Sequence, residues 1–81
     1  MSRVVIDVRQ PRELADGHYQ GAVNIPLKQI KKICTLYPNI HFSDEVIVYC
    51  HSGYRSGVAR RKLVKLGFVS VESRVDQYQV D

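Results

Sequence analysis

Eighty-one residues, 44% hydrophobic and 25% charged, describe one small globular domain rather than a disordered chain. No apolar run approaches the roughly 18 residues of a membrane span, and a net charge of +4 without a recognised module argues against nucleic-acid binding. Two cysteines, at 34 and 50, and histidines at 18, 41 and 51 supply neither a disulfide framework nor the ligand spacing of a zinc site.

A chain this short buries only about 60% of its unfolded surface, so its stability margin is thin. Met1-Ser2-Arg3 runs straight into Val4-Val5-Ile6, and no leader is visible. The protein is expected to be cytoplasmic as the sequence stands, or periplasmic if a leader has been removed.

Residues 3–8 form a Val- and Ile-rich run that reads as a buried strand. Charge returns abruptly at Asp7-Val8-Arg9. Pro11 suits a first helical position, and Gly17 stops that short helix. Residues 17–21 read as a loop, and residues 22–26 as an extended piece closed by Pro26. From Leu27 the period lengthens: Leu27, Ile30, Ile33, Cys34 and Tyr37 fall three or four apart, predicting a helix with Cys34 on its core face. Pro38 and Asn39 end it. Val46-Ile47-Val48-Tyr49 is a second apolar strand with Cys50 at its end. A glycine-bearing loop over residues 51–57 leads into a helix from Val58, on which Ala59, Leu63 and Leu66 share a face. Gly67 closes that helix. Residues 68–71 read as a third strand, and residues 72–81 as a polar tail with one helical turn.

Strands alternating with helices through short loops imply an α/β fold with parallel pairing. Ligands in such sheets sit beyond the carboxyl ends of the strands. Asp7, Arg9 and Cys50 all lie there, so they are expected on one face.

A free cysteine titrates near about 8.5, leaving roughly 3% thiolate at neutral pH. The segment Cys50-His51-Ser52-Gly53-Tyr54-Arg55-Ser56-Gly57 offers groups that would raise that fraction: successive backbone N–H groups, a helix N-terminus and the Arg55 guanidinium. Alone, Cys50 reads as a small buried hydrophobe ending a core strand. With this loop behind it, the nucleophile reading is the stronger.

Cys50 through Ser56, followed by Ala59 and a helix ending at Leu66-Gly67-Phe68, resembles the active-site segment of single-domain rhodaneses. Upstream, Ile6-Asp7-Val8-Arg9, Glu13, Gly17-His18 and residues 21–26 resemble the opening signature of that family. The short front end is similar to the small phage-shock-type thiosulfate sulfurtransferases. The resemblance covers most of residues 4–71. It implies a single rhodanese-like domain over residues 1–81, a three-layer fold with a mainly parallel sheet flanked by helices. The implied reaction moves the sulfane sulfur of thiosulfate, through a persulfide on Cys50, to cyanide or a thiol acceptor. His51, Ser52, Gly53, Tyr54, Arg55 and Ser56 would bind the substrate, with loop N–H groups and Arg55 facing the anion. No metal or organic cofactor is implied, and the protein is expected to be a monomer. Where many rhodaneses carry a glycine pair after the last strand, this chain has Ser73-Arg74-Val75-Asp76-Gln77-Tyr78, with Arg74 as possible added charge near the site.

Other readings stand beside this one. Asp7 and Arg9 could serve the site, but a structural pairing of Asp7 with backbone or Arg9, and of Arg9 with Glu13, is the weightier reading. His18 is expected to fix its loop. His51 reads as a weak general base, more suited to offering its backbone N–H with its ring outward. Cysteine phosphatases also combine a thiolate, an N–H nest and an arginine, but with five residues between cysteine and arginine. This chain has four, a smaller cradle that suits sulfur better than a phosphoryl group. An idle rhodanese-like binding module is a further alternative, disfavoured because Cys50 and Arg55 are both present. A thiol redox protein would need a second cysteine close in sequence.

Overall fold

Two apolar runs occupy the middle of the sheet. In the computed structural model, which describes residues 2–75, β1 (Arg3–Asp7) pairs in parallel with β3 (Glu45–Cys50), Val4 opposite Val46 and Ile6 opposite Val48. The two-residue β2 (Val23–Asn24) flanks β1, and β4 (Val71–Val75) flanks β3, giving the order β2-β1-β3-β4, all parallel. Central strands are covered on both faces, which is why β1 and β3 are nearly unbroken Val and Ile.

One face of the sheet carries Val4, Ile6, Val46, Val48 and Cys50, packed with Ile30, Ile33, Ala59, Leu63 and Phe68 from the helical layer. The opposite face carries Val5, Ile47 and Tyr49, against which Tyr19 and Ala22 pack. Tyr49 is fully buried, and its hydroxyl accepts a hydrogen bond from the Tyr19 N–H at 2.9 Å. Burial pushes its phenol up to about 12, so it stays neutral.

The helical segments differ in kind from the expectation. Residues Pro11–Asp16 and Leu27–Lys32 are 3-10 helices, and only Ile33–Leu36 continues as α-helix (α1). This overturns the core reading of Cys34, which is exposed. At three residues per turn, Leu27, Ile30 and Ile33 stack on one face, and the next residue turns away. The second α-helix, α2, spans Tyr54–Leu66 and so begins four residues before the expected start, taking Tyr54 to Gly57 out of the loop. Ala59 and Leu63 are buried beneath it, but Leu66 is 39% exposed. Gly67 closes α2 at φ 125°, its N–H returning to the Leu63 and Val64 carbonyls.

The last strand is also displaced. Phe68 is a buried anchor set edge-to-face against Phe42, 4.8 Å between centroids, and Val69 is exposed. Pairing with β3 begins only at Val71, so residues 72–75 are strand rather than tail or helical turn. The expected turn's remainder, residues 76–81, lies outside the described residues. No helix among the described residues is long and apolar enough to cross a membrane.

Candidate active site

After β1 the chain crosses to β2 on one side, and after β2 it crosses to β3 on the other. The carboxyl ends of β1 and β3 therefore flank the point where the winding reverses, the usual ligand position of a parallel sheet. Cys50 ends β3 there, and Asp7 ends β1.

Cys50 is fully buried, and Gly53 and Ser56 N–H groups donate to its Sγ at 3.1 and 3.2 Å. Those amides belong to the N-cap and first turn of α2, where N–H groups lack intrahelical acceptors and the helix end is positive. The turn that aims them needs a left-handed residue, and Gly53 supplies it at φ 88°. The Ser56 hydroxyl stands 3.6 Å from Sγ. Burial of Cys50 disfavours its charge, but the Ser56 hydroxyl and the Ser56, Gly53 and Ser52 amides together outweigh it and hold the thiol below its ordinary value.

Ser56 ties the loop to the sheet. It is buried, and its hydroxyl lies 2.8 Å from Ser73 Oγ and 3.2 Å from the Gly53 and Arg74 carbonyl oxygens. Ser73 is a contributor that sequence reasoning missed, because it sits on a strand read as tail. Val75 pairs in register with Cys50, and a Cβ on Gly53 would stand 3.0 Å from its Cγ1. Val75 therefore closes against the loop.

Arg55 lies in the first turn of α2 and makes a two-pronged ion pair with Glu13, Nη1 to Oε1 at 2.7 Å and Nη2 to Oε2 at 3.0 Å. Arg55, joined by the Gln10 N–H at 2.8 Å, holds the Glu13 carboxyl down to about 2. Glu13 in turn raises the Arg55 guanidinium, and the nearby Cys50 charge adds to that. The partner expected for Glu13 was Arg9. Arg9 instead meets the Glu13 main-chain oxygen with Nη1 at 3.4 Å.

Asp7 and Arg9 form a buried pair. Arg9 Nε and Nη2 donate to the Asp7 carboxylate at 2.9–3.2 Å, and the Arg9 N–H adds a bond at 2.9 Å. Arg9 Nη2 also donates to the Gly17 carbonyl at 2.7 Å. The pair thus holds the strand end to the loop. His51, Ser52 and Tyr54 are exposed, Tyr54 by 74%. The Ser52 hydroxyl accepts from the Tyr54 N–H at 3.5 Å and so steadies the turn. His18 Nδ1 lies 3.2 Å from the Tyr19 carbonyl within its loop. Arg74 does not bring free charge to the site: its Nε donates to Glu72 Oε2 at 2.7 Å. In the pleat it shares a face with Tyr49, its register partner, and not with Cys50.

A buried cysteine whose thiol is held below its ordinary value by amide donors, with an arginine at the second position of the following helix, can as thiolate attack a soft electrophilic atom and stabilise an anion left on its own sulfur. Comparison with known proteins points the same way. The chain is 45% identical over 69 residues to the thiosulfate sulfurtransferase PspE of Escherichia coli K12, covering 84% of this chain and 64% of that one. It is 37% identical to the putative sulfur carrier protein YrkF of Bacillus subtilis, covering 83% of this chain and 35% of that one. The chain thus spans less than two thirds of these curated relatives. Among solved structures, a rhodanese with anions from E. coli superposes with a TM-score of 0.80 at 42% identity, covering 89% of this chain and 84% of that one. The human single-domain sulfurtransferase TSTD1 gives 0.77 at 26% identity, covering 88% and 73%. The family model described as Rhodanese-like domain matches residues 1–75, and the chain belongs to that family.

Proposed function

We propose that the protein is a thiosulfate sulfurtransferase that carries sulfur as a persulfide on Cys50. The observation that carries this reading is the pair of N–H groups on Sγ, Gly53 at 3.1 Å and Ser56 at 3.2 Å, at the positive end of α2. The thiolate attacks the outer sulfur of thiosulfate. The S–S bond of the donor breaks, and sulfite leaves with the electron pair. Cys50 then bears a persulfide whose terminal sulfur is negative and can take up the same donors. Cyanide, or the thiolate of a cellular acceptor, attacks that terminal sulfur, and Cys50 leaves as thiolate. The names borne by relatives, thiosulfate sulfurtransferase and rhodanese among them, support the donor and the chemistry.

In this reading Arg55, in the first turn of α2, meets the donor anion. Its guanidinium is already committed to Glu13 by two prongs, so the anion shares it rather than finding a bare charge. His51 and Ser52 of the loop, with Tyr54 at the start of α2, form the exposed rim, and Asp7 with Arg9 supports the strand ends without touching the sulfur.

Intact mass spectrometry tests the reading. Incubation with thiosulfate is expected to add one sulfur atom, and cyanide to remove it. Absence of the adduct in the wild type, or an equal adduct in Cys50→Ser, refutes it.

A further inference from the structure

Charge in this protein is sorted by layer. The helical segments Leu27–Lys32, Ile33–Leu36 and Tyr54–Leu66 hold eight of its twelve Lys and Arg: Lys28, Lys31, Lys32, Arg55, Arg60, Arg61, Lys62 and Lys65. They hold none of its eight Asp and Glu. The helical layer is therefore far more basic than the net charge of +4 suggests, and the remainder of the chain is net acidic.

These segments pack on one face of the sheet, Ile30 and Ile33 beside Ala59 and Leu63, so their outer sides make one surface. Along α2, Tyr54, Arg61 and Lys65 recur at seven and four residues, which puts them on one outward stripe. All three are exposed. The stripe starts at the residue after Gly53, whose N–H holds the Cys50 sulfur, and runs about 16 Å along the helix at 1.5 Å per residue. Lys31 and Lys32 are exposed on the adjacent segment. Apart from Arg55, none of these cations makes an ion pair among the described residues. Like charges gathered without counter-ions cost stability by mutual repulsion, so chance surface decoration would intersperse acids among them.

We propose, building on the sulfurtransferase reading, that this face docks the sulfur acceptor, and that the acceptor is a protein presenting a reactive thiol within an acidic surface. A dianionic donor the size of thiosulfate needs only the loop and Arg55. A stripe this long fits a macromolecule, and its origin at Tyr54 brings the docked partner to Cys50. Apolar side chains lie among the cations, with Tyr54 at 74%, Leu36 at 49% and Val64 at 47% exposed, the mixture of apolar and arginine contacts that protein interfaces use. Tyr54 is the only aromatic residue in these segments, so a platform for stacking the bases of a single strand is missing. In the transfer, the acceptor thiolate attacks the terminal persulfide sulfur, the S–S bond breaks, and Cys50 departs as thiolate. The acceptor keeps the persulfide.

The test uses the full-length protein loaded with sulfur from thiosulfate and three acceptors: cyanide, a short peptide with one cysteine among Asp and Glu, and its twin with Ser and Gln at those positions. The wild type is expected to deliver sulfur about tenfold faster to the acidic peptide than to the neutral one at low salt, with the advantage fading as salt rises. In Arg61→Glu/Lys65→Glu the advantage disappears, while transfer to cyanide stays within about twofold, which shows that fold and thiolate survive. Equal rates for both peptides in the wild type, or an advantage that outlives the charge reversal, overturns the proposal. So does a single-stranded oligonucleotide that binds the wild type more tightly than the acidic peptide does. If the wild type takes up no sulfur at all, the sulfurtransferase reading fails, and docking is judged by fluorescence anisotropy of the labelled acidic peptide. Binding lost in the charge-reversal variant then supports the surface, and binding unchanged refutes it.

Discussion

Glu13→Gln probes the ion pair that spans the site. The substitution keeps the size of the side chain and an oxygen for the Gln10 N–H, but removes the charge that Arg55 grips with two prongs. A fall of the Glu13 pKa from 4.5 to about 2 converts, at 1.36 kcal/mol per pH unit, to roughly 3.4 kcal/mol. That is an upper bound. The side chains of Arg55 and Glu13 are 29% and 31% exposed, and screening by water brings the expected loss to about 1 kcal/mol. The sign follows from the depressed folded-state value: the stabilisation is complete above about 4.5 and disappears as pH falls towards 2. Roughly 60% of it is gone by pH 3. Urea unfolding of wild type and variant at pH 7 and pH 3 measures both ends. The variant is expected to be weaker by about 1 kcal/mol at pH 7, with the gap shrinking to less than half at pH 3. A gap that stays constant with pH would mean that Glu13 acts through packing and not through its charge. No gap at pH 7 would leave Arg55 without the anchor assigned to it.

Three further outcomes are expected. Asp7→Asn removes the carboxylate that the buried Arg9 guanidinium grips and should cost about 3–5 kcal/mol, most of the margin of so small a domain; urea unfolding showing a loss under about 1 kcal/mol would refute the anchoring role. In Ser56→Ala the pH profile of Cys50 alkylation by iodoacetamide should move upwards yet remain below that of an ordinary thiol, because the Gly53 amide and the backbone N–H of residue 56 remain; a fully ordinary profile would assign the whole effect to the hydroxyl. Val75→Gly should speed that alkylation severalfold, since Val75 is the register partner of Cys50 and crowds Gly53; an unchanged rate would show that Val75 does not restrict access.

The central strands could be read from the sequence because each is buried on both faces. Val4-Val5-Ile6 and Val46-Ile47-Val48 leave no polar phase to misread. The edge strand could not. Val71-Glu72-Ser73-Arg74-Val75 has no fully buried residue, and its polar residues read as tail until Val46–Cys50 provide a partner. The start of α2 was misplaced for a local reason: a left-handed glycine caps it, where a side-chain cap would have announced the boundary. Cys34 was misassigned because 3.6 residues per turn was assumed from Leu27 onward, whereas Leu27–Lys32 winds at three and only Ile33–Leu36 is α-helix.

The same division by range applies to the site. The amides on Cys50 come from residues three and six positions along, so a cysteine followed by a glycine-bearing turn and a helix already carries them. The contacts that set the chemistry's limits come from far away. Glu13 reaches Arg55 across 42 residues, and Ser73 reaches Ser56 across 17, and neither separation leaves a periodic trace. Both long-range partners act on the first turn of α2: Glu13 fixes its second residue, and Ser73 with the Arg74 carbonyl fixes its third. The amide cradle therefore depends on β4 being in register as much as on the loop itself. A one-residue slip of β4 would turn Ser73 and Val75 to the opposite face, leaving the Ser56 hydroxyl without its sheet partner and Gly53 without its cover. The strand hardest to read in the sequence is thus one that the reactive sulfur relies on.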